Sequence, residues 1–209
     1  MRTYIVRLTI GCALLTAASV PAPAQRPSSG SHFNAAPYAG YMVFGNYLSG
    51  PLGSSLSNAG GPVYGIQLSL DLAPNISIIG NAAQTASNLQ VGVPFLGGLT
   101  IAKTSIMLYD AGLELRMPAG GATTFTPFVD AGAGQMRYSI TEFGLTTQTS
   151  NFAWNGAAGV DVALSRSLNA RLMAKDYVGR FNFKDVVGIG GEGRMAQNWS
   201  FSAGLRFAF

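Results

Sequence analysis

Polar and apolar residues alternate along this chain, most regularly at its end. Over Asn198–Phe209, one phase of a period-two pattern holds Trp199, Phe201, Ala203, Leu205, Phe207 and Phe209. The other phase holds Asn198, Ser200, Ser202, Gly204, Arg206 and Ala208. Successive side chains of an extended strand point to opposite faces, so this segment has one greasy face and one polar face. A soluble, half-buried strand needs only about five or six such residues. The longer run here matches the roughly 9–11 residues with which a tilted strand crosses a bilayer.

Seven further segments carry the pattern. The first strand is predicted over about Ala36–Gly45, where Tyr38, Met42 and Phe44 oppose Tyr41 and Val43 and the face stays ambiguous. Asn46–Gly61, rich in Gly and Ser, reads as a loop. The second strand sets Tyr64, Ile66, Leu68, Leu70 and Leu72 against Gly65, Gln67, Ser69 and Asp71, and Ala73-Pro74-Asn75 turns it. A weaker third strand, about Ile76–Thr85, is interrupted by Asn81 and Gln84, and Ala86–Thr104 reads as a second long connection. Strand four opposes Met107, Tyr109, Ala111, Leu113, Leu115 and Met117 to Leu108, Asp110, Gly112, Glu114 and Arg116, with a turn at Pro118–Gly121. Strand five opposes Phe125, Pro127, Val129, Ala131 and Ala133 to Phe128, Asp130, Gly132 and Gly134. After a polar connection at Ser139–Ser150, strand six sets Phe152, Trp154, Gly156, Ala158, Val160, Val162 and Leu164 against Asn155, Gly159 and Asp161. Ser165–Ser167 turns tightly into strand seven, where Leu168, Ala170, Leu172 and Ala174 oppose Arg171, Met173, Lys175 and Tyr177. A fourth long connection, about Gly179–Gln197, leads to the closing strand. The connections thus alternate long and short, as they do in barrels with short periplasmic turns and longer external loops.

Composition sharpens this reading. Charged residues are 11% of the 209, against roughly 25% in soluble domains. No run of eighteen apolar residues exists outside the amino-terminus to make a spanning helix. A barrel reconciles the two facts, because its apolar residues are dispersed at alternate positions. Arg2 and Arg7, the apolar run Leu8–Val20 and the small residues of Ala22-Pro23-Ala24 read as a secretory signal over 1–24, followed by a flexible leader over 25–35 and the barrel over 36–209. Removing Arg2 and Arg7 takes the formal charge from +4 to +2, with no basic stripe to suggest nucleic acid. The single Cys12 lies inside the signal, so disulfides and thiolate chemistry are not expected.

The polar face collects Asp71, Asp110, Glu114, Asp130 and Asp161 with Arg116, Arg171, Lys175 and Arg206, five acids against four bases. In an eight-stranded barrel the interior is just wide enough for side chains to fill. Charges there are expected to pair, since an isolated buried charge costs several kcal/mol. Arg171 and Arg206, on neighbouring strands, are expected to share Glu114 or Asp161 across the lumen. Such a cross-linked lumen is a plug. On the greasy face, Tyr64, Phe152, Trp154 and Trp199 are predicted at the outer end and Phe125, Phe207 and Phe209 at the inner end, forming two aromatic girdles.

Other motifs fall away. Gly188-Ile-Gly-Gly-Glu-Gly193 has the letters of a dinucleotide loop, but no helix and no βαβ unit can follow it. His32, the only histidine, lies in the leader, so neither Ser-His catalysis nor a histidine metal site is expected.

Residues 36–209 resemble the small eight-stranded OmpA/OmpX-like outer-membrane barrels. Ser202, Gly204, Phe207 and Phe209 resemble the polar-x-Gly-x-x-aromatic-x-aromatic signal of their closing strands. The resemblance implies an all-β, antiparallel up-and-down barrel in the bacterial outer membrane, reached after signal-peptide cleavage. It implies no cofactor and no enzymatic activity. The implied partners are outer-membrane lipid and lipopolysaccharide, the barrel-assembly machinery that reads the closing strand, and an external ligand or host surface met by the loops. Wall anchoring is not implied, because no peptidoglycan-binding domain follows Phe209. The rival expectations are a narrow or gated solute channel and a lipid-modifying barrel enzyme.

Overall fold

The computed structural model describes residues 33–49, 55–93, 97–117, 124–142, 145–180 and 195–209. The expected signal peptide, His32, the Pro118–Gly121 turn and the Gly188–Gly193 motif lie outside them. The strands are β1 Phe33–Phe44, β2 Asn46–Ser49, β3 Ser55–Asn58, β4 Gly61–Ala73, β5 Ile76–Val93, β6 Gly97–Arg116, β7 Phe125–Glu142, β8 Leu145–Ala163, β9 Leu168–Arg180 and β10 Met195–Ala208. Every pairing is antiparallel. β1 pairs with both β4 and β10, and β5 with both β4 and β6, so the eight long strands close on themselves. Closure leaves no strand edge along the wall and satisfies the backbone without water, the condition for crossing a bilayer with strands.

Sidedness follows the period-two pattern. In β4, Gly61, Val63, Gln67 and Ser69 are buried in the lumen while Tyr64, Ile66, Leu68, Leu70 and Leu72 are exposed outward. The same phase continues through β6, β7, β8, β9 and β10. It also settles the two ambiguous strands. Tyr38, Met42 and Phe44 of β1 face in with Asn34 and Ala36, and in β5 Asn81 faces in whereas Gln84 faces out.

The strands are longer than the alternation predicts. β1 starts at Phe33, inside the expected leader. Asn46–Gly61, read as a loop, contains β2, β3 and the first residue of β4, with Ser55–Asn58 pairing to Leu89–Gly92 of β5. Ala86–Thr104 is not a loop either: it continues the β5–β6 ladder, with Ser87 opposite Thr104 and Val93 opposite Gly97. Ser139–Ser150 likewise extends β7 and β8, with Ser139 opposite Gln148. Polar residues stand on both faces here, Ser87, Thr104 and Thr149 inward and Asn88, Gln148 and Ser150 outward, so little contrast between faces survives to be read. The connection expected over Gly179–Gln197 begins in β9 and ends in β10, and 181–194 lie outside the described residues. The short turns at Pro74-Asn75 and Leu164–Ser167 stand where predicted, the second closed by Ser165 N–H donating to the Leu168 carbonyl at 3.0 Å.

Candidate functional site

All nine charged residues predicted for the lumen project into it, and they sort into layers. Nearest the short turns, Arg171 of β9 reaches across the axis. Its Nε and Nη2 donate to the two oxygens of Asp161 at 2.7 and 2.8 Å, and its Nη1 donates to Glu114 Oε2 at 2.8 Å and Gln67 Oε1 at 2.7 Å. Arg206 of β10 donates to the same two acids, to Asp161 at 2.9 Å and Glu114 at 3.3 Å. The expected sharing between these arginines is therefore realised with both acids. Arg116 pairs with Asp71 and donates to Ser77, and its Nε lies 3.4 Å from Glu114. Ser77 in turn donates to Asp71 at 2.8 Å. Three arginines thus meet three carboxylates in one lattice. Bidentate guanidinium–carboxylate geometry makes these among the stronger contacts available in a lumen.

Packing holds the lattice in place. A Cβ at Gly159 of β8 would run into the ring of Phe128 of β7, so the missing side chain makes room for that ring. The Arg171 guanidinium then lies 4.1 Å from the ring centroid. A flat cation over an aromatic face is favourable where little water competes.

A second layer sits above the first. Lys175 Nζ donates to Asp110 Oδ1 at 2.6 Å, and Asp110 Oδ2 accepts from Asn81 at 2.8 Å and from the Tyr177 hydroxyl at 3.2 Å. Tyr38 donates to Asn81 Oδ1 at 2.8 Å. Gln67, Ser77, Asn81, Tyr38 and Tyr177 were not predicted as network members. Each lies on the phase that carries the charges, so the period-two signal could have included them.

A third layer lies beyond the ion pairs. Met42, Phe44, Val63, Ala83, Ile106, Leu108, Met136, Ala153 and Ala196 cluster there, buried against Tyr138 and Tyr177 and interleaved with the buried, uncharged Thr85, Thr104, Thr149, Asn151 and Asn198. The ion pairs thus occupy the half toward the short turns, and the half toward the long hairpins is largely apolar with uncharged polar neighbours. Among the nine charged residues, Asp130 departs from the expected pairing. It is 6% exposed, yet neither of its carboxylate oxygens has a hydrogen-bond partner among the described residues.

The outer surface carries the predicted aromatics. Tyr64, Phe125, Phe152, Trp154 and Trp199 all face outward and are exposed, joined by Tyr41, Tyr109 and Phe201. Phe152 and Trp154 meet edge to face at 5.2 Å, and Trp199 stacks on Phe201 at 6.3 Å. At the turn end Phe33 and Phe209 lie 6.0 Å apart. From the level of Met107 and Phe152 the outward face turns polar, through Gln84, Ser105, Gln135, Arg137, Gln148 and Ser150. Gln84 donates to Ser105 at 3.2 Å and Arg137 to Gln148. Of the closing-strand residues, Ser202 and Gly204 face the lumen, while Phe207 and Phe209 face out. Gly204 lets the backbone of Pro37 and Tyr38 approach more closely than a Cβ would allow. Among the described residues no group of three or more His, Cys, Asp or Glu side chains could hold a metal ion.

Comparison with known proteins agrees with this architecture. The Neisserial surface protein NspA superposes with a TM-score of 0.60 at 13% identity, covering 86% of this chain and 99% of that one. OprG of Pseudomonas aeruginosa gives 0.60 at 12% identity over 86% and 96% of the two chains. Ail, the attachment invasion locus protein of Yersinia pestis, gives 0.50 at 12% identity over 86% and 99%. These likenesses carry the fold. No curated protein matches the sequence itself. The family described as outer membrane protein beta-barrel domain matches residues 10–207, and this chain is a member of that outer-membrane β-barrel family.

Proposed function

We propose that this protein is a non-enzymatic outer-membrane barrel with a sealed lumen, acting in a structural or surface-interaction role through its external end. The observation that carries the proposal is the lattice of Arg171, Arg206 and Arg116 with Glu114, Asp161 and Asp71, which bridges the lumen from β4 and β6 to β8, β9 and β10. A hydrated solute would have to break several charge-assisted hydrogen bonds at once, and stripping one partner from a buried pair costs about 3–5 kcal/mol. The largely apolar layer above offers a second barrier, since it supplies few replacements for the water such a solute would shed.

The long hairpins support the interaction role. β5 to β8 project past the aromatic level as a paired sheet with polar side chains outward. A sheet loses less entropy on binding than a free loop of the same length. Its partner in this reading is an external ligand or a host surface. Outer-membrane lipid and lipopolysaccharide contact the wall, and Ser202, Gly204, Phe207 and Phe209 form the signal that the barrel-assembly machinery reads during insertion.

Conductance in planar bilayers tests the sealed lumen. The intact barrel is expected to show no steady ion-permeable state. A stable open state, raised further by neutralising Arg171 or Arg206, would assign the protein to the channels instead.

A further inference from the structure

The lumen charges do not balance, and the imbalance has an address. Among the described residues five carboxylates face four cations. Asp71, Glu114 and Asp161 are matched by Arg116, Arg171 and Arg206, and Asp110 is matched by Lys175. Asp130 alone is left over. Its position makes the remainder costly. On β6 its directly opposite neighbour is Glu114, itself 0% exposed, and like charges facing each other across a ladder repel. On β8 its opposite neighbour is Ala157, too small to donate or to fill the space, and the residue beyond Ala157 in the same row is Lys175, already committed to Asp110.

Next to Asp130 on the same lumen face stands Asn155, opposite Gly132 in the β7–β8 register and so diagonal to Asp130. Asn155 is 7% exposed, and neither its Oδ1 nor its Nδ2 has a partner among the described residues. Two buried polar side chains therefore sit side by side over Gly132 and Ala157, each unsatisfied and neither hydrogen-bonded to the other. Native structures satisfy such groups with water or an ion, and here the pair includes a full carboxylate charge that water leaves uncompensated.

We propose that Asp130 and Asn155 form a buried site for a small monovalent cation of the sodium class. The Asp130 carboxylate supplies the charge and the Asn155 Oδ1 a further hard oxygen ligand, chemistry that suits an alkali cation over a soft metal. One unpaired carboxylate offers one negative charge, which a monovalent ion neutralises and a divalent ion would overshoot. With the ion bound, the lumen carries five positive and five negative charges, and the repulsion between Asp130 and Glu114 is screened from within. The site is covered above by the layer of Lys175, Asp110 and Tyr177, with the largely apolar layer beyond it, and below by the arginine lattice. The ion is therefore captured as the barrel closes and exchanges only when it opens.

Refolding the urea-denatured chain into detergent micelles tests this, using sodium chloride, rubidium chloride or choline chloride at one ionic strength. The readout is the unfolding midpoint, followed by the gel-mobility shift between folded and heated barrel. The midpoint is expected to be higher in sodium than in choline, which is too large to enter, and crystals grown with rubidium are expected to show an anomalous peak beside Asp130. Asp130→Asn is expected to abolish the difference between sodium and choline. Asn155→Leu, which keeps the carboxylate, is expected to weaken the apparent sodium affinity by about tenfold, and it remains informative if Asp130→Asn does not fold. Equal midpoints in sodium and choline would overturn the proposal. So would a sodium effect that persists in Asp130→Asn, or a midpoint that follows pH but not cation identity, which would assign the missing charge to a proton.

Discussion

The two halves of the lumen solve one packing problem by opposite means. Toward the short turns, Arg171, Arg206, Arg116, Glu114, Asp161 and Asp71 fill the interior with ions that must all be paired. Toward the long hairpins, Met42, Val63, Ile106, Leu108 and Met136 fill it largely with hydrocarbon, among uncharged polar neighbours such as Thr85 and Asn198. The difference lies in how each half fails. An apolar layer loses stability roughly in proportion to the volume removed, whereas an ion lattice loses it in steps, because each deleted partner leaves a charge without compensation.

The largest effect is therefore expected at the centre of the lattice. Arg171→Met leaves Asp161 and Glu114 sharing the remaining arginines and should cost about 3–5 kcal/mol in the urea unfolding of the folded barrel. A loss near zero would mean that the lattice is solvated and that the two halves do not differ. Ile106→Ala, in the apolar layer, should cost about 2–5 kcal/mol in the same measurement, with no change in conductance while the arginines remain. An open channel in that variant would show that the hydrocarbon, not the ions, forms the seal. The smallest effect belongs outside both halves. Arg137→Ala removes an exposed contact with Gln148 on the projecting sheet and should change stability by no more than about 0.5 kcal/mol. It would, however, alter any binding that uses this surface, as measured by adhesion of cells displaying the barrel.

The sequence displayed some of this plainly. Where one face meets lipid and the other meets ions, as in Tyr64–Leu72 and Trp199–Phe209, the contrast is as large as side chains allow and the alternation can be read directly. The pairing of Arg171 and Arg206 with Glu114 and Asp161 was also legible, because adjacent strands and similar depth leave few alternatives. Two regions were not. Ile106-Met107-Leu108-Tyr109 is apolar on both faces, so the hydrocarbon layer of the lumen hides in a run without period. In the projecting parts of β5 and β8, polar residues occupy both phases, as at Gln84–Asn88 and Gln148–Asn151, and hide for the same reason, although their Thr residues favour strand. The isolation of Asp130 lies beyond pattern altogether, since it depends on which side chains are long enough to reach it.

The position of Asp161 opposite Arg171 bears on how the barrel finds its alignment. Sliding β9 past β8 by two residues keeps every greasy side chain facing lipid, so hydrophobicity cannot reject the mistake. The same slide would bring Met173 or Asn169 opposite Asp161 and take from its carboxylate the two bonds that Arg171 donates. The ions thus act as a proofreading device for strands whose oily coats look alike, and misaligned chains are rejected from inside the barrel, not from the membrane around it.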